Sequence, residues 1–137
     1  MSKFRSVAVA AAMAALASCS NSRPYCGESF CLTEKPASIS KTTPAEDFNL
    51  YRVNMAGKQF LIYEGNHPNT EGDRSIGVIA ASTLPKGFSQ GELFGSDRGY
   101  QILLRTWKSD WPNYVAVSLA TKNPSDLQEL VSKLEAK

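Results

Sequence analysis

Residues 48–65 read FNLYRVNMAGKQFLIYEG, and this stretch decides the fold of the chain. Two runs rich in β-branched and aromatic residues, 48–55 and 59–65, lie on either side of a short segment that contains Gly57. Such runs favour extended strands, and a glycine between them supplies the backbone freedom that a tight turn needs. The pattern predicts a β-hairpin.

Three later segments extend the predicted sheet. The segment 74–83 (RSIGVIAAST) is apolar on both faces, which predicts a strand near the centre of the sheet. A further strand is predicted over 99–107 (GYQILLRTW). In 113–121 (NYVAVSLAT), valine and leucine alternate with other residues, so we expect one face of that strand to be buried. The segment 84–99 contains four glycines and is predicted to be a long loop.

The C-terminal segment has the pattern of an amphipathic helix. Ser125 is the predicted N-cap, and an apolar stripe with helical spacing follows it. The stripe consists of Leu127, Leu130, Val131 and Leu134. Together these elements predict an α+β fold, with about five mostly antiparallel strands in one sheet and the C-terminal helix packed on one face.

The N-terminus has the three parts of a secretory signal peptide. Lys3 and Arg5 are basic, 7–16 is an apolar run composed mostly of alanine, and Ala17 and Ser18 are small. The apolar run is too short to span a bilayer as a permanent helix. We therefore expect residues 1–18 to be an export signal.

Leu16-Ala17-Ser18-Cys19 resembles the lipobox of bacterial lipoproteins, in which small residues precede an obligatory cysteine. The resemblance implies cleavage just before Cys19, attachment of lipid to its sulfur, and anchoring in the bacterial cell envelope. Ser20, in the second position after cleavage, implies the outer membrane facing the periplasm under the Gram-negative sorting rule. The alternative is an ordinary signal peptide that leaves Cys19 free or disulfide-bonded.

The charge of the chain argues against nucleic acid as a partner. The sequence has 15 Lys and Arg against 13 Asp and Glu. Removal of Lys3 and Arg5 with the signal makes the two numbers equal, so no basic patch for nucleic acid is implied.

Cys26 and Cys31 are predicted to form a disulfide, because an exported protein enters an oxidising compartment. Zinc would need two further ligands, and thiol redox motifs usually have closer cysteines. No metal site and no cofactor are expected.

The segment 32–48 is rich in Ser, Thr, Pro and charged residues, which is typical of an extended tether. A flexible chain from Cys19 to Asp47 would span roughly 30 Å on average. The predicted organisation is a signal peptide over 1–18, a lipidated N-terminus with a small Cys loop and tether over 19–47, and the domain over 48–137.

No catalytic residue is predicted. Ser89 lies in a G-x-S-x-G sequence, but the strand and helix that a nucleophile elbow needs are not indicated around it. His67 is expected to be a surface residue. In an alternative hypothesis, His67 acts as an acid–base group with a nearby carboxylate, Glu64, Glu71 or Asp73.

Aromatic residues are the best candidates for a binding surface. Trp107 and Trp111 flank a predicted turn, and Phe88 and Phe94 lie in the predicted loop. Exposed aromatic rings can stack on sugars or anchor a protein interface. The alternative is that the tryptophans cover one end of the core.

These observations favour a non-enzymatic lipoprotein that binds an envelope protein or a cell-wall component, and is held at the membrane through Cys19. The alternatives are a small envelope hydrolase acting on peptidoglycan or an ester, and an inhibitor or immunity-type lipoprotein.

Overall fold

Antiparallel β-structure makes up most of the protein in the computed structural model, which describes residues 23–137. The ten strands are β1 (Tyr25–Cys26), β2 (Phe30–Leu32), β3 (Ser38–Ala45), β4 (Phe48–Met55), β5 (Lys58–Gly65), β6 (Arg74–Val78), β7 (Phe88–Ser96), β8 (Gly99–Thr106), β9 (Tyr114–Leu119) and β10 (Leu134–Ala136). Helix α1 (Pro124–Val131) lies between β9 and β10, and a 3₁₀ turn (Ala81–Thr83) precedes β7.

The strands form two antiparallel sheets. The large sheet has seven strands in the order β3-β4-β5-β9-β8-β7-β6, and the small sheet has three in the order β1-β2-β10. The predicted antiparallel arrangement with a single helix is confirmed for the described part of the chain. The prediction of about five strands in one sheet is wrong, because strands on both sides of the central hairpin were not recognised.

The predicted hairpin at 48–65 is present as β4 and β5. Ala56 and Gly57 make the turn, with φ angles of 55° and 75°. Positive φ at both central residues matches the twist of the flanking strands. Tyr51 pairs with Ile62, and both are fully buried.

The large sheet has two distinct faces, because successive side chains on a strand point to opposite sides. The inner face packs against α1 and the small sheet. Its buried residues include Tyr51, Val53, Met55, Phe60, Ile62, Ile102, Leu104, Val115, Val117 and Leu119. The outer face carries the intervening residues, and a row across it consists of Arg52, Leu61, Ser118, Gln101 and Phe94.

The predicted loop at 84–99 is instead occupied mainly by strand β7. Gly91 and Gly95 lie on the inner face, where neighbouring side chains leave no space for another carbon. A Cβ at Gly91 would lie 2.8 Å from Leu84 Cδ2 and 3.2 Å from Leu104 Cδ2. These glycines permit close packing within a strand, so the inference of a loop from glycine content is wrong.

The placement of 74–83 near the centre of the sheet is also wrong. Strand β6 pairs only with β7 and lies at one edge of the large sheet. Ile76 and Val78 are exposed there, so apolar residues on both faces do not indicate burial in this strand.

The predicted tether at 32–48 forms β3, the strand at the other edge, and the domain extends at least to Tyr25 in β1. All but one of the side chains of β3 are exposed. An edge strand of this kind is held by backbone hydrogen bonds to one neighbour. Because neither of its faces is buried, its sequence shows no alternation of apolar and polar residues. The predicted domain boundary at residue 48 is therefore too late.

The helix begins two positions earlier than predicted. Asn123 is the N-cap, with its Oδ1 accepting a hydrogen bond of 3.1 Å from the Ser125 amide. Leu127, Leu130 and Val131 are buried as predicted, whereas Leu134 belongs to β10.

The close packing around Gly91 can be tested by adding one methyl group. We expect Gly91→Ala to lower the free energy of unfolding by about 1–3 kcal/mol, because the buried neighbours must move to accommodate it. Gly77→Ala on β6 is the matched control, since no atom lies within 4 Å of its Cβ position. The control should change stability by less than about 0.5 kcal/mol in urea denaturation. Equal stabilities of the two variants would contradict the packing described for β7.

Candidate functional site

A connection crosses the outer face of the large sheet. Strands β5 and β6 follow each other in the sequence, but β9, β8 and β7 lie between them in the sheet. The connection over 66–73 therefore has to cross these strands. Gln101 holds it in place, because its Nε2 donates to Asn69 O at 3.0 Å and to Asp73 Oδ2 at 2.7 Å.

The crossing segment forms one wall of a groove of about 720 Å³ on the outer face. The groove lies near the β4–β5 and β7–β8 turns. Its lining includes Arg52, Asn54, Gln59, Leu61, Asn69, Asp73, Phe94, Arg98, Tyr100, Gln101 and Ser118. Leu61 is 41% exposed although it is in the middle of the sheet, so the groove presents apolar surface to solvent.

The charge in the groove is mainly positive. Arg52 and Arg98 are both exposed, whereas Asp73 is the one acidic side chain among the lining residues of the described chain, and it accepts a hydrogen bond from Gln101. Several amide side chains add donors and acceptors around the apolar surface. This combination can bind an apolar group flanked by carboxylates.

The residues of the predicted aromatic surface do not lie together. Phe88 is buried in the core, so it cannot contribute to an exposed surface. Phe94 lines the groove and is paired with Gln101 on the neighbouring strand β8. Gln101 in turn lies six residues before Trp107 in the sequence. Roughly 20 Å of strand therefore separates Phe94 from the tryptophans.

Trp107 and Trp111 lie at the end of the sheet opposite the groove. Trp107 is 78% exposed and Trp111 is 37% exposed. The Trp111 Nε1 donates a hydrogen bond to the Asp47 carbonyl, which fixes its ring against the β3–β4 turn. The alternative is that one or both tryptophans cover one end of the core, and the exposure of Trp107 excludes that role for Trp107 alone.

Among residues 23–137, no hydrogen bond or ion pair joins the ring of His67 to the carboxylates of the hydrolase alternative. His67 is exposed, and its backbone amide donates to the Tyr63 hydroxyl at 2.9 Å. Tyr63 and Glu64 are consecutive on β5, so Glu64 points to the inner face, away from His67. The Ser89 hydroxyl donates to the Arg105 carbonyl at 3.1 Å within the sheet.

Glu64 is fully buried and accepts a cluster of hydrogen bonds from the loop between β1 and β2. The amides of Glu28 and Ser29 each donate to its Oε2 at 3.0 Å, and the Ser29 hydroxyl donates at the same distance. From β4, Asn49 Nδ2 donates to Oε1 at 2.9 Å, and the Tyr51 hydroxyl also donates to Oε1. The carboxylate thus joins the loop to the hairpin.

The disulfide between Cys26 and Cys31 closes the loop that Glu64 binds, and we call residues 26–31 the knuckle. Gly27 is packed tightly within it. A Cβ at Gly27 would lie 2.6 Å from Phe30 Cε1 and 2.8 Å from the Tyr51 hydroxyl. Glycine is therefore required here by the closeness of the knuckle to the hairpin.

Two tyrosines near Glu64 have altered acidity. Burial, the hydrogen bond to Glu64 and its negative charge all raise the pKa of Tyr51. Burial and the charge of Glu64 likewise raise the pKa of Tyr25. The Tyr51 hydroxyl is therefore protonated at neutral pH and remains a hydrogen-bond donor to the carboxylate.

The groove and the Glu64 cluster were not found by sequence reasoning. One signal for the groove was available, because Phe60-Leu61-Ile62-Tyr63 is apolar on both faces of β5. In β5 the second face of this run carries Leu61, which lines the groove. Cys19, the predicted lipid attachment site, lies outside the described residues.

No protein-family model, no curated protein and no solved structure matches this chain. Within residues 23–137, no helix has the length and apolar character needed to cross a membrane. The same part of the chain has no group of three His, Cys, Asp or Glu side chains placed to hold a metal ion.

The Glu64 cluster predicts a large effect from a change that keeps the shape of the side chain. Glu64→Gln replaces an accepting oxygen with an NH₂ group that faces other donors. We expect the free energy of unfolding to fall by about 2–4 kcal/mol, measured by urea denaturation. Glu129→Gln on the exposed side of α1 is the control and should change stability by less than about 0.5 kcal/mol. A loss no larger than that of the control would show that the buried hydrogen bonds do not stabilise the domain.

Proposed function

We propose that this protein is a lipid-anchored binding module of the bacterial cell envelope, and that the outer-face groove is its binding site. Two features support the proposal. The lipobox pattern ending at Cys19 supports attachment to the membrane. The groove, with exposed apolar surface between arginines, supports recognition of a partner.

The exposure of Leu61 is the observation that carries the binding role. A leucine in the middle of a sheet is normally covered, and Leu61 pairs with Ser118 on the neighbouring strand without being covered by it. The crossing segment 66–73 lies to one side, over Gln101. An apolar floor with a fixed wall is typical of a preformed ligand site.

The charges indicate the chemistry of the partner. Arg52 lies next to Leu61 in the sheet, and Arg98 lies in the β7–β8 turn on the opposite side of the groove. A partner that places an apolar side chain on Leu61 and carboxylates on either side would match both features. An acidic segment of an envelope protein fits this description better than a neutral glycan.

Lipid attachment can be tested with labelled palmitate. We expect the label to enter the wild-type protein and to be lost in Cys19→Ala, because the acyl chains would be attached at and next to that cysteine. Cys31→Ala is the matched control and should retain the label, since it removes a different sulfur. Label in the Cys19→Ala variant, or no label in the wild type, would contradict the lipid anchor.

The groove can be tested by photo-crosslinking in the cells that produce the protein. A photoreactive residue in place of Leu61 should give an adduct of defined size with the partner. The same residue in place of Gln128, which is exposed on α1, should give none. Combining the Leu61 probe with Arg52→Glu and Arg98→Glu should lower the adduct yield at least about fivefold, because the charges then repel an acidic partner.

Equal adducts at positions 61 and 128, or a yield unaffected by the charge reversals, would contradict the groove as the site. An adduct with glycan material in place of protein would retain the groove but change the class of partner.

A further inference from the structure

Trp107 is a large apolar side chain in an exposed position. It directly follows the last residue of β8 and is 78% exposed. Tryptophan is highly buried on average, because its ring carries more apolar area than almost any other side chain. An indole ring held this far into solvent is free to contact a surface outside the domain.

The loop that carries Trp107 is held in a defined shape. The Thr106 amide donates to the Asn113 carbonyl at 2.9 Å and closes the loop. The Lys108 amide donates to the Thr106 hydroxyl at 3.2 Å, and Trp111 is fixed on the Asp47 carbonyl. The ring of Trp107 therefore projects from a supported base.

This loop lies beside the knuckle. The Lys108 Nζ donates to the Glu28 carbonyl at 3.2 Å, and the Lys137 Nζ donates to the Gly27 carbonyl at 3.2 Å. Two ammonium groups thus lie on the knuckle. We call this end of the domain, defined by the knuckle, Trp107, Lys108 and Lys137, the knuckle end.

The knuckle end is also the part of the domain nearest in sequence to Cys19. Only five residues lie between Cys19 and Tyr25, the first residue of β1. Whatever their arrangement, they can span at most about 20 Å. The long tether expected from the sequence is not available, since β1, β2 and β3 all lie within residues 19–47. A lipid on Cys19 would therefore keep the knuckle end close to the bilayer.

We propose that the knuckle end rests on the membrane that holds Cys19, with the ring of Trp107 in the headgroup region. Tryptophan favours this region, where its ring is partly dehydrated and its N–H stays hydrated. Lys108 and Lys137 add attraction to anionic headgroups. This proposal rests on the lipid attachment of the proposed function.

The presence of only two tryptophans in the chain makes the contact measurable. The lipidated full-length protein is reconstituted into vesicles of phosphatidylcholine and phosphatidylglycerol, with or without bromine on the acyl chains near the headgroups. Bromine quenches indole fluorescence only at short range. We expect clear quenching of the wild-type protein and its loss in Trp107→Phe, whose remaining Trp111 is bound to the Asp47 carbonyl. Substitution of Trp107 should not affect folding, because the side chain is exposed.

Flotation of the same vesicles separates the two proposals. Protein that floats with quenching assigned to Trp107 supports the membrane contact. Protein that floats with equal signals for the wild type and Trp107→Phe overturns the contact and leaves the lipid anchor intact. Protein that does not float overturns both, because no lipid then holds the chain. Lys108→Glu should weaken the quenching in vesicles with the anionic lipid and leave flotation unchanged.

Discussion

The buried carboxylate of Glu64 is the constraint on which the rest of the structure depends. Among residues 23–137, none of the ion pairs includes it, so hydrogen bonds from the knuckle and from β4 must satisfy it. A carboxylate without such partners is costly to bury. The hairpin can therefore bury Glu64 only when the knuckle is in place, and the disulfide and Gly27 give the knuckle the shape that reaches it. Because Glu64 accepts hydrogen bonds from the loop between β1 and β2, it also fixes this part of the small sheet against the hairpin.

The strands of the large sheet connect two ends with different chemistry. At one end, the groove presents Leu61 between arginines, and the crossing segment 66–73 gives it a fixed wall. At the other end are the knuckle, Trp107 and Lys108. With the knuckle end on the membrane, the groove would open away from the bilayer toward the space in which a partner diffuses. The length of the strands then sets the height of the groove above the lipid.

The parts of the fold that sequence could predict are those in which side-chain periodicity and turn chemistry agree. The hairpin at 48–65 and the alternating strand at 113–121 have both signals, and the disulfide was expected from export into an oxidising compartment. Strand β7 was not predicted because its glycines, which pack against the core, were interpreted as loop residues. Strand β3 was not recognised because an exposed edge strand is held by backbone hydrogen bonds, which leave no pattern in the side chains.

The role of Glu64 could not be predicted from the sequence, because some of its hydrogen-bond donors come from a distant loop. Ser29, for example, lies 35 residues before Glu64. The groove depends on the order of strands in the sheet, which local patterns do not encode.

The pairing of β2 with β10 has a consequence for the order in which the domain can be completed. Thr33 donates to the Lys133 carbonyl, 100 residues further along the chain, at the point where the two strands meet. Phe30 and Leu32 need β10 for their backbone partners, and Phe30 packs on Tyr51 beside Glu64. In a chain made from its N-terminus, this side of β2 therefore stays unpaired until β10 has been made. A shortened chain that lacks β10 would leave that edge of β2 open to pairing with another chain.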